Sequence, residues 1–197
     1  MAIEALTNDR MREAAQTIHL VSLADRVVGP GTTYVMAPFA YVRPGRFSPA
    51  GVRGVYYAGE SLDTAIAETT YHRARFLADT NEKPLIDENR VIEATIEGAF
   101  IDVAAEPPKS RSALLQPTSY DRSFRFGAEV YAAGHDGVVY PSVRRSAGHC
   151  VGVFRPRCVQ HARTTMYLGY RWNGHTIDDA FVMQSLTQTA VAESPED

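Results

Sequence analysis

Apolar and polar positions along the chain predict short helices and strands in an irregular order. The pattern predicts helices over 2–17, 62–78 and 121–133, and strands over 32–38, 53–58, 91–97, 137–141, 149–154 and 164–172. Residues 91–97 alternate with the period of two that is typical of a half-buried strand. Because helices and strands do not alternate as in βαβ units, we expect an α+β fold with mainly antiparallel sheets and flanking helices.

The segment 62–78 carries the most complete helix pattern. Ser61 is suited to cap its N-terminus, and Asp63 in the first turn complements the helix dipole. Gly134 is suited to end the helix over 121–133. The inward stripe predicted for the helix over 62–78 consists of Leu62, Ile66, Thr69, Phe76 and Leu77.

Length and composition restrict the class of protein. The 197 residues, 45% of them apolar, predict one domain over 1–185, and the polar tail 186–197 is expected to be flexible. The net charge of −3 argues against a polybasic nucleic-acid binder. No apolar run reaches the roughly 18 residues that a membrane helix needs. The N-terminal residues include Glu4 and Asp9 and lack a basic patch followed by an apolar stretch, so no secretory signal is expected. We therefore expect a cytoplasmic protein.

Common metal and phosphate motifs are missing from the sequence. Cys150 and Cys158 are the two cysteines and form no CxxC pair, and the histidines show no HExxH spacing, so no metal site is expected. Neither GxxxxGK[ST] nor GxGxxG occurs, which disfavours P-loop and Rossmann nucleotide sites.

The charges are unevenly distributed, and arginine dominates the basic residues. All of the 20 basic residues except Lys83 and Lys109 are Arg. Residues 60–106 are predominantly acidic, whereas residues 107–175 are predominantly basic. The pattern fits alternating solvated faces, but arginine forks also bind phosphates and carboxylates in a bidentate manner. An anionic ligand and an acidic partner chain both remain open.

Three polar residues stand out as candidates for chemistry. Arg46 lies in a Pro/Gly-rich turn, Glu68 lies among small residues of the helix over 62–78, and Ser142 follows the strand over 137–141. Each has an ordinary alternative as a surface turn charge, an exposed helix glutamate or a turn serine. Tyr56 and Tyr57 are neighbours in a strand, so we expect one to face the core and the other a cleft.

Together these segments resemble a known family. RFSPAGVRGVYYAGESLDTAIAETTYHR, followed by DGVVYPSVRRSAGHCVGVFRP, is similar to the RES-domain toxins of bacterial toxin–antitoxin pairs over about residues 30–160. The family takes its name from an Arg, a Glu and a Ser, which match Arg46, Glu68 and Ser142 here. Tyr57 matches a tyrosine of the family's active site.

The resemblance implies a fold like that of diphtheria-toxin-type ADP-ribosyltransferases and the consumption of NAD⁺ as a substrate, with no metal. Family members pass ADP-ribose to water, phosphate or a host protein. The implied partners are an Xre-like antitoxin, a possible target protein and a possible second copy in a homodimer. Direct contacts with nucleic acid or a membrane are not expected.

The resemblance and side-chain chemistry together imply roles for the four residues. Glu68 would accept a hydrogen bond from a ribose hydroxyl and stabilise an oxocarbenium-like cation. Arg46 would pair with the pyrophosphate, and Tyr57 would contact the nicotinamide ribose region. Ser142 would form a hydrogen bond with the nicotinamide ribose.

Two alternatives of other classes stay open at this point. One is an Arg-rich module that binds nucleic acid or an acidic protein through aromatic and arginine side chains between 124 and 172. The other is an inactive family member, since relatives commonly carry a further Arg near the N-terminus. No motif marks that Arg here, and the upstream candidates are Arg10, Arg12, Arg26 and Arg43.

Overall fold

The computed structural model describes residues 18–184. Their main elements are two β-sheets and four α-helices. The helices are α1 Thr32–Ala40, α2 Leu62–Asp79, α3 Pro108–Leu114 and α4 Asp121–Ala132. The strands are β1 Tyr56–Gly59, β2 Leu85–Ile96, β3 Phe100–Asp102, β4 Gly137–Pro141, β5 His149–Val153, β6 Val159–Trp172 and β7 Ile177–Met183. The expected α+β class with mainly antiparallel sheets is confirmed. The predicted helix over 2–17 and the tail 186–197 lie outside the described residues.

The first sheet has the strand order β1-β5-β4-β3, with β3 parallel to β4 and the other pairs antiparallel. Tyr57 lies opposite Gly152, and Tyr140 lies opposite Cys150. Since cross-strand partners share a face and neighbours along a strand alternate, Tyr57, Tyr140 and Cys150 point to the same side of this sheet.

The second sheet has the order β2-β6-β7 and is antiparallel throughout. Helix α2 packs against it through polar contacts. The Arg73 guanidinium binds Asp87 of β2 with two nitrogens, and the hydroxyls of Thr69 and Tyr170 form a 2.7 Å hydrogen bond. These contacts orient the helix that carries Glu68.

Apolar side chains cover both faces of the first sheet. One cluster packs under α3 and α4 and comprises Phe47, Val55, Val103, Leu114, Val130, Val138, Tyr140, Cys150 and Phe154. The other lies towards α1 and comprises Val21, Val35, Phe39, Tyr56, Val153, Cys158 and Val159. In α4, Gly127 lets the helix approach the turn that holds Arg46, because a Cβ there would collide with the carbonyl of Phe47.

The strand predicted over 32–38 is wrong, because these residues form most of helix α1. The β-branched run Thr32, Thr33 and Val35 favours a strand locally. In the folded chain, however, Val35 and Phe39 lie one helical turn apart and are both buried. Tertiary burial of this face outweighs the weak local preference.

Helix α2 confirms the prediction over 62–78, and Ser61 caps it by accepting a hydrogen bond from the Thr64 backbone N–H at 3.3 Å. Its predicted inward stripe is partly wrong. Leu77 is buried as expected, but Leu62, Thr69 and Phe76 are exposed, and Thr64 is fully buried instead. The N-terminal half of the helix packs closely against loops through small residues, so apolar size does not identify its inner face.

The remaining predictions agree in position and differ in length. Strand β4 has the predicted bounds, β5 and β1 differ by a few residues, and α4 ends next to Gly134, which has a φ of 87°. Strands β2 and β6 are both longer than predicted, because they pair with each other beyond their apolar parts. Sequence analysis missed β3, α3 and the mostly exposed edge strand β7.

Candidate active site

Glu68 of α2 and Ser142 at the end of β4 meet directly, although 74 residues separate them in the chain. The Ser142 hydroxyl donates a 2.6 Å hydrogen bond to Glu68 Oε1. Both residues are half-buried. The pairing therefore joins two of the residues that sequence analysis singled out.

The turn after β4 uses the full hydrogen-bonding capacity of the Ser142 hydroxyl. The backbone N–H groups of Arg144 and Arg145 donate to Ser142 Oγ at 3.1 and 3.0 Å. A serine hydroxyl has one donor and two acceptor positions, and all three are occupied. Ser142 thus holds Glu68 and has no spare hydrogen-bonding position for a ligand unless one of these bonds breaks.

A second donor approaches the same carboxylate oxygen. The Cys150 Sγ lies 3.9 Å from Glu68 Oε1 and donates to it. Burial raises the pKa of Cys150 to about 12, and the neighbouring Glu68 charge acts in the same direction. The thiol is therefore protonated at neutral pH. Within the described residues both protein donors bind Oε1, which leaves Oε2 of Glu68 without a protein partner.

Tyr140 is a common neighbour of the predicted site residues. Its side chain is 5% exposed, and burial raises its pKa well above the usual value. The charges of Glu68 and Arg46 both act on it, as do Cys150 and Tyr57. Arg46, Tyr57 and Glu68 thus all lie within electrostatic range of one buried phenol, and Ser142 is linked to this group through Glu68.

Tyr57 is anchored through its hydroxyl, which accepts a 2.9 Å hydrogen bond from the Phe47 backbone N–H. Its ring lies so close to Gly45 that any Cβ at that position would collide with it. Burial of the hydroxyl raises the pKa of Tyr57, whereas the whole residue remains 37% exposed. Tyr56 points the other way and is buried, so the two tyrosines face opposite sides of the sheet as expected, whereas the cleft expected beside the second one stays a prediction.

Arg46 is buried, with 6% of its surface exposed, so its interpretation as a surface turn charge is wrong. Its Nη1 donates to the carbonyls of Leu114 and Gln116 at 3.0 and 2.9 Å. The guanidinium carbon lies 4.7 Å from the ring centre of Tyr120. No acidic side chain of residues 18–184 forms an ion pair with Arg46, so these neutral acceptors hold a buried cation.

A comparison with known families identifies the family of this chain. A family model described as the RES domain matches residues 23–173, a span that contains all four predicted site residues. The chain belongs to the RES domain family. This domain is the toxin of RES–Xre toxin–antitoxin systems and is associated with NAD-utilising enzymes, and membership implies an antitoxin partner.

A curated relative of this RES domain comes from Sinorhizobium fredii (strain NBRC 101917 / NGR234) and is described as the uncharacterized protein y4oC. The two sequences are 28% identical over 179 residues, which cover 89% of this chain and 72% of the relative. The similarity therefore extends over most of both proteins.

Sequence analysis missed several residues that lie around Glu68 in this RES domain. Tyr140 could have been found, because it precedes Ser142 by two positions and shares its face of the strand. Helical spacing does place Tyr71 and His72 one turn after Glu68, and in the structure the pKa of His72 is lowered mainly by burial. Cys150 belongs to no CxxC pair, and nothing in its sequence context predicts a position beside Glu68. The role of Arg144 depends on a turn whose shape no local motif predicts.

A cavity of about 520 Å³ lies between the two sheets of the RES domain. Tyr56, Ala58 and Val151 line it from the first sheet, and Ile92 and Ala94 line it from the second. These first-sheet residues alternate with Tyr57 and Gly152 along their strands, so the cavity lies on the opposite face from Tyr57. Strands β1 and β5 separate part of this space from the Glu68–Ser142 pair, but Cys150, which donates to Glu68, also lines the cavity.

The described residues also bear on a metal site, on the family's N-terminal arginine and on the nucleic-acid alternative. Among residues 18–184, no group of three or more His, Cys, Asp or Glu side chains could hold a metal ion. Arg26, a candidate for the family's N-terminal arginine, donates to the carbonyls of Val21 and Ile18. Tyr170 and Trp172 are buried, so these two rings offer no stacking platform for bases. No helix of the described part is long and apolar enough to cross a membrane.

Proposed function

We propose that this RES domain is the toxin of a toxin–antitoxin pair and cleaves the bond between nicotinamide and ribose in NAD⁺. It then transfers ADP-ribose to a protein side chain, phosphate or water, and thereby arrests growth. One observation carries the proposal: Glu68 is held at Oε1 by Ser142 and Cys150, while Oε2 is left for a substrate.

The chemistry requires a fixed negative charge beside the ribose. When the C1′–N bond breaks, its electron pair leaves with nicotinamide, which becomes neutral, and the ribose acquires oxocarbenium character. A preorganised carboxylate stabilises this cation without moving during the reaction. The acceptor oxygen or nitrogen then attacks C1′, and any proton that it carries passes to solvent. In this scheme Glu68 Oε2 accepts a hydrogen bond from a ribose hydroxyl, while its charge stabilises the cation.

The other residues position the substrate or the carboxylate. Arg46 is a buried guanidinium without an acidic partner, which suits a contact with pyrophosphate. The ring of Tyr57 is partly exposed beside it and suits the nicotinamide ribose region. Ser142 acts differently from the role implied by the family resemblance, because its hydroxyl is saturated by protein partners. We assign it the orientation of Glu68.

An NAD⁺-consuming toxin in the cytoplasm must be kept inactive until it is needed. The implied antitoxin partner would do this, and we propose that it is Xre-like. The excess of arginine over 107–175 favours docking of an acidic target protein and therefore transfer to protein rather than to water. Homodimerisation within the toxin–antitoxin complex belongs to the same proposal.

The test is NAD⁺ consumption by the purified protein in buffer, with added phosphate, and with labelled NAD⁺ in cell extract. Loss in buffer alone indicates hydrolysis, loss only with phosphate indicates phosphorolysis, and a labelled protein band indicates ADP-ribosyl transfer.

Glu68→Gln should abolish most turnover without unfolding the protein, because the amide oxygen still accepts the Ser142 bond. Glu129→Gln, an exposed helix position, is the matched control and should behave as wild type. Near-normal turnover by Glu68→Gln would refute the proposal.

A further inference from the structure

A second arginine lies beside Glu68, and it comes from the turn that positions Ser142. The Arg144 backbone N–H binds Ser142 Oγ, which places this residue next to the Glu68 pair. Its guanidinium carbon lies 3.4 Å from the ring centre of Tyr71. Tyr71 follows Glu68 by three positions on α2 and therefore shares its side of the helix. The Arg144 side chain thus lies along the site.

Arg144 and Arg46 converge on one short segment of backbone after α3. Arg46 Nη1 binds the carbonyls of Leu114 and Gln116, and Arg144 Nη2 binds the carbonyl of Pro117 at 2.6 Å. Both guanidiniums also lie within electrostatic range of the His72 ring, and Glu68 is the carboxylate that acts on the same ring. Two arginines from distant loops are therefore brought to one side of the site.

The positive charge at this place is not balanced by the protein. Within residues 18–184, neither Arg46 nor Arg144 forms an ion pair, and Arg144 Nε is buried without a hydrogen-bond partner. In contrast, the adjacent Arg145 pairs with Asp63 at 2.8 Å. Burying the Arg46 guanidinium without a counter-charge is unfavourable. A bound anion with several oxygens would offset this cost.

We infer that Arg144 and Arg46 together form the binding site for the pyrophosphate group of a dinucleotide, with Arg144 as the second guanidinium fork. Pyrophosphate carries negative charge on two linked phosphoryl groups, and planar guanidiniums bind such oxygens in a bidentate manner. The inference rests on the proposed function, since this pyrophosphate is that of NAD⁺. It adds a residue of the Ser142 turn to the substrate contacts.

The experiment measures binding to the full chain by titration calorimetry, with inorganic pyrophosphate, ADP-ribose and uncharged adenosine as probes. Arg144→Ala should weaken both anionic probes about tenfold or more, as expected for the loss of a charge-assisted contact, and leave adenosine unaffected. Arg144→Lys keeps the charge without the fork and should be intermediate. Arg171→Ala removes an equal charge from the second sheet, where Arg171 pairs with Asp178, and should stay within about twofold of wild type.

Three outcomes would overturn the inference: no binding of either anionic probe to wild type, unchanged binding to Arg144→Ala, or equal weakening by Arg171→Ala. Circular dichroism verifies the fold of each variant, and Arg144→Lys provides the comparison if the alanine variant unfolds. Failure of the proposed function would give a different result from failure of this inference. In that case the anions bind in an Arg144-dependent manner, but wild-type protein consumes no NAD⁺. If NAD⁺ is consumed with the same KM by Arg144→Ala, the function stands and this inference fails.

Discussion

The hydrogen bond between Ser142 and Glu68 makes a quantitative prediction about coupling between two distant segments. Removing either partner should destabilise the protein, and removing both should cost less than the sum of the two single changes. A double-mutant cycle isolates this difference from unrelated effects. The variants are Glu68→Ala, Ser142→Ala and the double variant.

The expected magnitude follows from the geometry of the contact. A hydroxyl that donates to a carboxylate at 2.6 Å forms a charge-assisted bond, which contributes roughly 1.5–3 kcal/mol. Ser142→Ala also deprives the Arg144 and Arg145 backbone N–H groups of their acceptor. That loss occurs with and without Glu68, so it cancels in the cycle. We expect a coupling free energy of about 2 kcal/mol.

Urea unfolding followed by tryptophan fluorescence measures the free energies. Trp172 is the single tryptophan and is 1% exposed, so its emission reports loss of the fold. The bond between the Thr69 and Tyr170 hydroxyls, which is 2.7 Å long and involves the same helix, is the neutral control and should couple by about 0.5–1.5 kcal/mol. A Ser142–Glu68 coupling within about 0.5 kcal/mol of zero would refute the claim that Ser142 holds the carboxylate.

Two further predictions concern the cysteines and the packing of α4. Cys150 and Cys158 are 4% and 3% exposed, and burial raises the pKa of both thiols. At pH 8 Ellman's reagent should therefore react with them only after unfolding. Rapid reaction of either thiol in the native protein would contradict this prediction. Gly127→Ala should lower the urea midpoint, because the new methyl group would collide with the Phe47 carbonyl. This cost should exceed the gain of about 1 kcal/mol that alanine brings to a helix over glycine. A stabilised variant would show that the close approach of helix and turn is not required.

Helix α2, helix α4 and strand β4 were predictable because their information is local. Ser61 caps one helix, Gly134 ends another, and residues 137–141 form an apolar run between turn residues. Such features act within a few residues of the chain. The same local preference gave a wrong result for α1, where a β-branched run folds as a helix because its apolar face packs into the core.

The identities of Arg46, Tyr57, Glu68 and Ser142 also came from the sequence, through their motifs and the family that these motifs resemble. The contacts that these residues make with one another and with the rest of the fold did not come from the sequence. That Ser142 donates to Glu68, that Arg46 is buried on backbone carbonyls, and that Cys150 lies 3.9 Å from Glu68 Oε1 depend on how α2 docks against the sheets. These contacts join segments far apart in the chain, and their geometry follows from strand register and packing, which no local pattern encodes.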